Sequence, residues 1–370
     1  MDEGLLKILD FLAPGKQLRK GIDRIMEANL GALIFLASSP EKYLEEGLIQ
    51  LGFELDALFI PEKIYELAKM DGAIVLDKNA EKILFANAQL NPEKSLNSDE
   101  TGMRHRTAEK VSLQTGDITI AVSKRRNSVS VFYKNKKHEL LTENILFARV
   151  NQEITIAQRY KQSFLDLIDY LNIEEVRKNV SLYDVAEIIS KGMLTIKITQ
   201  ATDKYLRELG EIAGSSKLEY EEILRSVPKL VGAIIMDYNV DDLNYQKSED
   251  AIENFNNVKT DDLVNLFTIA RTLGYDVSSD DELEEKIIIP RGYRILYSTK
   301  LPSSAVKNVV DNFERLPSLM EASFEDLTNV AGIGKRRAEI ILGALHRKKK
   351  ETEDIKEKDL EVEFKNEDNY

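Results

Sequence analysis

The chain has no cysteine and no tryptophan, and only three histidines (His105, His138 and His346) among its 370 residues. Without cysteine there is no disulfide, no thiolate zinc site and no cysteine nucleophile. Three scattered histidines argue against a polyhistidine metal centre. No apolar run reaches the roughly 20 residues needed to cross a bilayer. The opening "MDEGLLKILDFLAPG" is too acidic and too poor in apolar residues for a secretory signal. A cytoplasmic location with no membrane partner is therefore expected. A G-x-S-x-G elbow is also missing, and spacing alone does not support a Ser/His/Asp triad around His105.

What is present is unevenly placed charge. The net charge is -13, yet residues 101–137 hold nine Lys/Arg against two acids. Residues 287–350 hold twelve against six, and residues 351–370 reverse the balance with three against nine. A basic module followed by an acidic, disordered tail is the expected arrangement.

Hydrophobic patterning divides the rest. Up to residue 148, short apolar or β-branched runs ("GALIFLA", "GAIVLD", "KILFANAQL", "DITIAVS", "SVSVFYKN") alternate with helical stretches ("SPEKYLEEGLIQLG", "PEKIYELAKM", "RHRTAEKVSLQTG"). This predicts an α/β domain around one mixed central sheet flanked by helices, over 1–148. Over 149–285 strand signals vanish and long amphipathic helices are predicted, an all-α spacer whose most loop-like stretch is "NVDDLNYQKSEDAIENFNN". Short helices follow over 286–350, and the acidic tail occupies 351–370.

In the last helical block, "FEDLTNVAGIGKRRAEIILGALHR" predicts a short helix, a tight turn at Gly332 and Gly334, and a second helix from about Lys335. Ala338, Ile341, Leu342 and Leu345 form its buried stripe. Free N–H groups at that helix start, beside Lys335, Arg336 and Arg337, suit an anion. Two other phosphate motifs fail. Asn329 stands where a P-loop needs glycine, and Arg337 occupies the third glycine position of a dinucleotide fingerprint. The block resembles the helix-hairpin-helix motif, carried by Val330, Gly332, Ile333, Gly334 and Ala338. The resemblance implies sequence-independent DNA binding by Gly332, Ile333, Gly334, Lys335, Arg336 and Arg337. The preceding "LPSSAVKNVVDNFERLPSLMEAS" reads as a degenerate copy without the glycines.

The basic segment "TGMRHRTAE" (101–109) also suits phosphate. Arg104 and Arg106 offer planar multi-donor groups, Thr107 adds a hydroxyl, and the cluster opens a helix. On charge alone, a basic solvated face is an equal reading. With "DGA" at 71–73 and "SKRRN" at 123–127, however, the chain resembles the diadenylate cyclase domain of the DNA integrity scanning protein family. The likeness extends through "APGKQLRKGIDRIMEANLGALIFLA", "QLNPE", the helical spacer, "IARTLGY", "PRGYRIL" and the hairpin, leaving out only the acidic tail.

The resemblance implies an enzyme that joins two ATP into cyclic di-AMP with release of two pyrophosphates. It implies Mg²⁺ or Mn²⁺ as cofactor, a homo-octamer with head-to-head cyclase domains, and branched DNA as partner. It assigns Asp71 to the metal and to activating the ribose 3′-hydroxyl, with Arg104 and His105 as further catalytic groups. ATP would be bound by Gly72, Ala73, Leu90, Met103, Arg104, His105, Thr107, Ser123 and Arg126. Gly72 and Ala73 would let adenosine lie against backbone, Leu90 would line the adenine pocket, and Ser123 with Arg126 would grip the polyphosphate end. Met103 departs from the family pattern, which favours a small polar residue there. The competing possibility is a DNA-structure-binding protein with an inactive nucleotide-binding head.

Overall fold

The computed structural model describes residues 3–50, 52–240 and 248–350. The acidic segment 351–370 and residues 241–247 of the polar stretch lie outside them. The chain forms two compact units. One comprises residues up to Gln152 with Thr202–Lys217, and the other Glu153–Ala201 with the described residues from Leu218 onward.

The first unit is built on a mixed sheet. Its elements are α1 (Glu3–Phe11), α2 (Gln17–Glu27), β1 (Ala32–Ala37), α3 (Pro40–Glu45), β2 (Ile49–Gln50), β3 (Phe53–Leu58), α4 (Pro61–Leu67), β4 (Ala73–Asp77), β5 (Lys82–Leu90), α5 (Met103–Thr115), β6 (Ile118–Ser123), β7 (Ser128–Tyr133) and β8 (Lys136–Leu140). Strand order is β2-β5-β4-β1-β6-β7-β8, with β3 also paired to β5. Only β1 and β4 run parallel among the described pairs.

Strand β1 reads as an unbroken apolar run because both its faces are covered. Ile34 and Leu36 pack with Ile22 and Ile25 of α2 and Ile64 of α4 on one side. Leu33, Phe35 and Ala37 pack with Tyr43 of α3 and Ala108 and Val111 of α5 on the other. Helix α5 stops where expected, at Gly116 with φ 76°. The stretch "SPEKYLEEGLIQLG" is helical only to Glu45. Gly47, at φ 73°, turns the chain, and Ile49–Gln50 pairs with β5.

The second unit is helical. Three long helices, α6 (Glu143–Arg177), α7 (Leu182–Leu209) and α8 (Gly214–Tyr238), contribute most of their length to it. Short ones follow: α9 (Glu253–Asn256), α10 (Leu266–Thr272), α11 (Asp280–Glu285), α12 (Tyr293–Ser298), α13 (Ser303–Phe313), α14 (Leu316–Met320), α15 (Phe324–Thr328) and α16 over 335–350. A capping box of Ser323 and Asp326 starts α15, which satisfies two orphan N–H groups at once. Ala338, Ile341 and Leu345 of α16 are buried, and Leu342 packs against the same core.

A buried charge network ties four of these helices. Glu175 of α6 receives Arg294 Nη2 of α12 at 2.6 Å, Tyr238 Oη of α8 at 2.8 Å, and Lys348 Nζ of α16. Asn172 accepts from Arg294 Nη1 at 2.7 Å and from Lys348 at 3.2 Å. Beside them, the Asp237 carboxylate accepts backbone N–H groups of Gly292 and Tyr293 at 2.6 Å and of Arg294 at 3.0 Å. It thus caps α12 from another helix. Burial works to raise the Glu175 pKa, but the charges of Arg294 and Lys348 outweigh it and hold the carboxyl at about 2. Burial lowers Lys348 to about 8, against the pull of Glu175. Both groups are therefore charged at pH 7.

Removing one partner of a buried pair leaves uncompensated charge. Glu175→Gln is expected to destabilise the second unit by about 3–5 kcal/mol, read by urea unfolding at pH 7. Glu175 ionisation stabilises in full above pH 4.5 and is lost as pH falls toward about 2. The wild-type chain should lose stability across that window more steeply than the variant. Equal unfolding midpoints at pH 7 would contradict this role.

Candidate functional site

Three loops converge at one end of the sheet. Ile34 lies opposite Ile74 in the parallel pair, so the chain just before Ala32 runs beside the chain just before Ala73. Val122 lies opposite Ala32 in the antiparallel pair, so the exit of β6 reaches the same end. The start of α5 completes the set. Together they frame an open cavity of about 760 Å³ lined by Asn29, Asp71, Gly102, Met103, Arg104, His105, Val122, Ser123, Lys124 and Arg125.

Helix α5 begins at Gly102 with no side-chain cap. Its first N–H groups are therefore free for an anion, with Arg104 beside them. Arg104 Nη2 lies 4.0 Å from Asp71 Oδ1, and the Asp71 side chain is fully exposed. Gly31 gives the guanidinium its place: a Cβ there would sit 2.7 Å from Arg104 Nη1. His105 is 6% exposed and packs edge-on against Phe132. Its Nε2 is buried without a hydrogen-bond partner among the described residues. Burial lowers its pKa, Glu100 opposes that, and Lys137 and Arg126 reinforce it. The ring is neutral at pH 7 and can donate one N–H while its other nitrogen accepts.

Of the residues expected to form the site, Asp71, Met103, Arg104, His105 and Ser123 line the cavity, and Gly72, Ala73, Leu90, Thr107 and Arg126 are not among its lining residues. Ala73 and Leu90 are buried in an apolar cluster. A Cβ on Gly72 would meet the backbone of Asn87 at 2.4 Å, so that space is filled by protein. Thr107 is half-buried on α5. Arg126 turns to Thr101, with Nη2 donating to its Oγ1 at 2.9 Å, while the Arg126 backbone N–H donates to Ser123 Oγ at 3.2 Å. Met103 is 80% exposed and offers a thioether with no donor.

Sequence reasoning missed Asn29, Gly102, Val122, Lys124 and Arg125. The last two belong to the "SKRRN" run, in which they, and not Arg126, line the cavity. Asn29, at φ 54°, carries a faint signal as a polar residue in a left-handed turn before an apolar strand. Cationic side chains, an uncapped helix start, one carboxylate and a neutral imidazole form a cavity suited to a polyphosphate.

The second anion-friendly feature is the turn before α16. Gly332 is left-handed at φ 82°. Val330 and Ile333 are buried beneath the turn, while Lys335 and Arg336 are exposed. Arg337 folds back, its Nη1 donating to the Gly332 carbonyl at 2.6 Å. Asn308 Nδ2 donates to the Ala331 carbonyl at 2.7 Å and braces the other side.

Comparison with known proteins agrees with this layout. Residues 19–137 match the family model described as DisA bacterial checkpoint controller nucleotide-binding. Residues 140–282 match the model described as DisA bacterial checkpoint controller linker region. The DNA integrity scanning protein DisA of Thermotoga petrophila is 40% identical over 352 residues, covering 94% of this chain and 99% of that protein. Its counterpart in Acetivibrio thermocellus is 37% identical over 348 residues, covering 94% of each chain. A solved structure of DacA from Staphylococcus aureus, at 22% identity, covers 38% of this chain and 90% of its own, with a TM-score of 0.29 that carries no argument. At such identity across nearly the whole length, the chain belongs to the DNA integrity scanning protein family.

Proposed function

We propose that the protein is a diadenylate cyclase that also binds DNA without sequence preference. In the proposed reaction the 3′-oxygen of each ATP attacks the α-phosphorus of the other. Two O–P bonds form, two Pα–O bonds break, and two pyrophosphates leave with one cyclic di-AMP. The observation that carries the reading is the cavity joining Asp71 to the α5 start and to residues 122–125, in a segment matching the family's nucleotide-binding model.

In this reading Arg104 and the α5 N–H groups neutralise charge on the phosphates as pyrophosphate departs. Ser123, with Lys124 and Arg125, holds the polyphosphate end, and Arg126 keeps Ser123 in place through its backbone N–H. His105, neutral, directs a hydrogen bond into the cavity from a ring fixed by Phe132. Asp71, exposed beside Arg104, accepts the 3′-hydroxyl proton in this scheme. An exposed single carboxylate, Asp71, suits Mg²⁺ or Mn²⁺, with substrate phosphates and water completing the shell. Such an ion would offset charge on the attacking and leaving oxygens.

One cavity, with Asp71 and Met103 exposed at its rim, accounts for half of a two-fold symmetric product. A second copy facing the first supplies the other half. A homo-octamer built from such pairs, in the cytoplasm, is the proposed assembly. We assign 1–148 to the cyclase, 149–285 to the spacer and 286–350 to a helix-hairpin-helix module for branched DNA, followed by the acidic tail 351–370. Lys335 and Arg336 meet phosphate in this proposal, while Gly332, Ile333, Gly334 and Arg337 shape the turn.

Asp71→Asn should lower cyclic di-AMP formation by about 10²–10⁴-fold while the chain still folds and binds DNA. Incubation with ATP and Mg²⁺ or Mn²⁺, with products identified by mass spectrometry, is the measurement. Wild-type turnover in the variant would refute the assignment. Replacing Lys335 and Arg336 together by Glu should weaken DNA binding at all sequences and reduce the slope of log K against log salt by about 2. Cyclase activity without DNA should be unchanged, and unaltered affinity would rule out the hairpin as the DNA site.

A further inference from the structure

Asp71 is fully exposed, and its ion pair to Arg104 is long, at 4.0 Å. Its position therefore comes from the backbone that carries it. That backbone is gripped from one side by Asn87 of β5. The pairing of β4 with β5 slips between Ala73 and Val75, with Ala73 opposite Ala88 and Val75 opposite Phe85. Asn87 sits at this irregularity with φ 52°, a left-handed conformation that Asn tolerates better than most residues. Its Oδ1 accepts the Gly72 N–H at 3.0 Å.

Two glycines press on the same peptide. A Cβ on Gly72 would lie 2.4 Å from Asn87 C and 2.5 Å from its Cα, and a Cβ on Gly52 would lie 2.2 Å from Asn87 O. These are backbone atoms, which cannot swing aside as a side-chain tip can. Asn87 is thus clamped between Gly52 and Gly72, and the second of these is the residue next to Asp71. Bulges of this kind recur beside active sites, where they re-aim a neighbouring side chain.

We propose that Asn87 is a positioning residue for Asp71: the Gly52–Asn87–Gly72 clamp sets the height of the Asp71 carboxylate at the cavity rim and so tunes its hold on a divalent cation. The proposal rests on the cyclase reading for the cation and for its kinetic consequence, while the hydrogen bond and glycine contacts of the clamp are independent of it. Asn87 touches no reacting atom in this scheme, and its effect passes through Gly72.

Asn87→Gly keeps the left-handed backbone accessible and removes the Oδ1 acceptor together with the rest of the side chain. Gly52→Ala pushes the clamp from the far side, touching neither Asp71 nor Gly72. In the full-length chain, deuterium uptake at the Gly72 amide should quicken in Asn87→Gly. With the non-cleavable analogue α,β-methylene-ATP, the Mn²⁺ binding midpoint, read by electron paramagnetic resonance, should rise about tenfold. Cyclic di-AMP turnover should fall by about tenfold to a hundredfold, with KM for ATP little changed. Gly52→Ala, if it folds, should reproduce the Mn²⁺ shift; if it does not fold, Asn87→Gly decides alone. A wild-type Mn²⁺ midpoint in Asn87→Gly overturns the proposal. A wild-type chain that makes no cyclic di-AMP overturns the cyclase reading instead, and the exchange arm still tests the clamp.

Discussion

Ile34 pairs in parallel with Ile74 and antiparallel with Ile120, and this double register of β1 brings separated loops to one end of the sheet. A slip of one residue in either pairing would move Asp71 or Ser123 along the strand direction by about 3.3 Å. It would also exchange the two faces of β1, driving Phe35 out of one cluster and Ile34 out of the other. Each such side chain contributes about 1.5–3 kcal/mol through burial. The apolar clusters on the two faces therefore fix the geometry of a polar cavity to which they add few atoms. Most of the cavity lining lies in loops or at a helix start, while the strands that hold it are almost wholly apolar.

The second unit adds a polar constraint to its apolar core, into which both its long and its short helices pack. Glu175 gathers Arg294, Lys348 and Tyr238 from three other helices, and Asp237 supplies three acceptor contacts to the start of α12. Buried charges cost several kcal/mol each unless paired with good geometry, so few alternative packings satisfy all of them. Lys348 lies thirteen residues beyond Lys335 on α16, about 20 Å along the helix axis. One end of α16 is thus anchored in the network while the other presents Lys335 and Arg336 beside the glycine turn.

Legibility in the sequence followed burial. Strands β1, β4, β5, β6 and β7 were readable because their apolar runs are dictated by packing on both faces. Strands β3 and β8 were not: "FELDAL" is exposed along most of its length, and "KKHEL" carries the charges that keep edge strands from pairing further. Among site residues, Asp71, Arg104, His105 and Ser123 were legible as chemistry in a specific motif. Leu90 and Ala73, expected at a ligand, lie in an apolar cluster outside the lining of this cavity. Gly72, expected to let adenosine lie against backbone, also lacks a Cβ where the Asn87 backbone packs. That constraint links residues fifteen apart through a bulge, and no local periodicity announces it.

A net charge of -13 would repel a nucleotide if charge acted only as a sum. It does not, because at physiological salt the field of an exposed charge decays over about 8 Å. The cavity is lined by Arg104, Lys124 and Arg125, the N–H groups opening α5, and one carboxylate, Asp71, with Glu100, Lys137, Arg126 and Glu139 near enough to act on His105. The acidic surplus elsewhere keeps the chain from binding anions indiscriminately, while the local excess of cations supplies attraction only where the backbone also offers donors. The neutrality of His105 belongs to the same balance: a buried imidazolium there would add charge to a cluster already disfavouring it through Lys137 and Arg126. The cationic groups are thus few and are held close together by the apolar sheet beneath them.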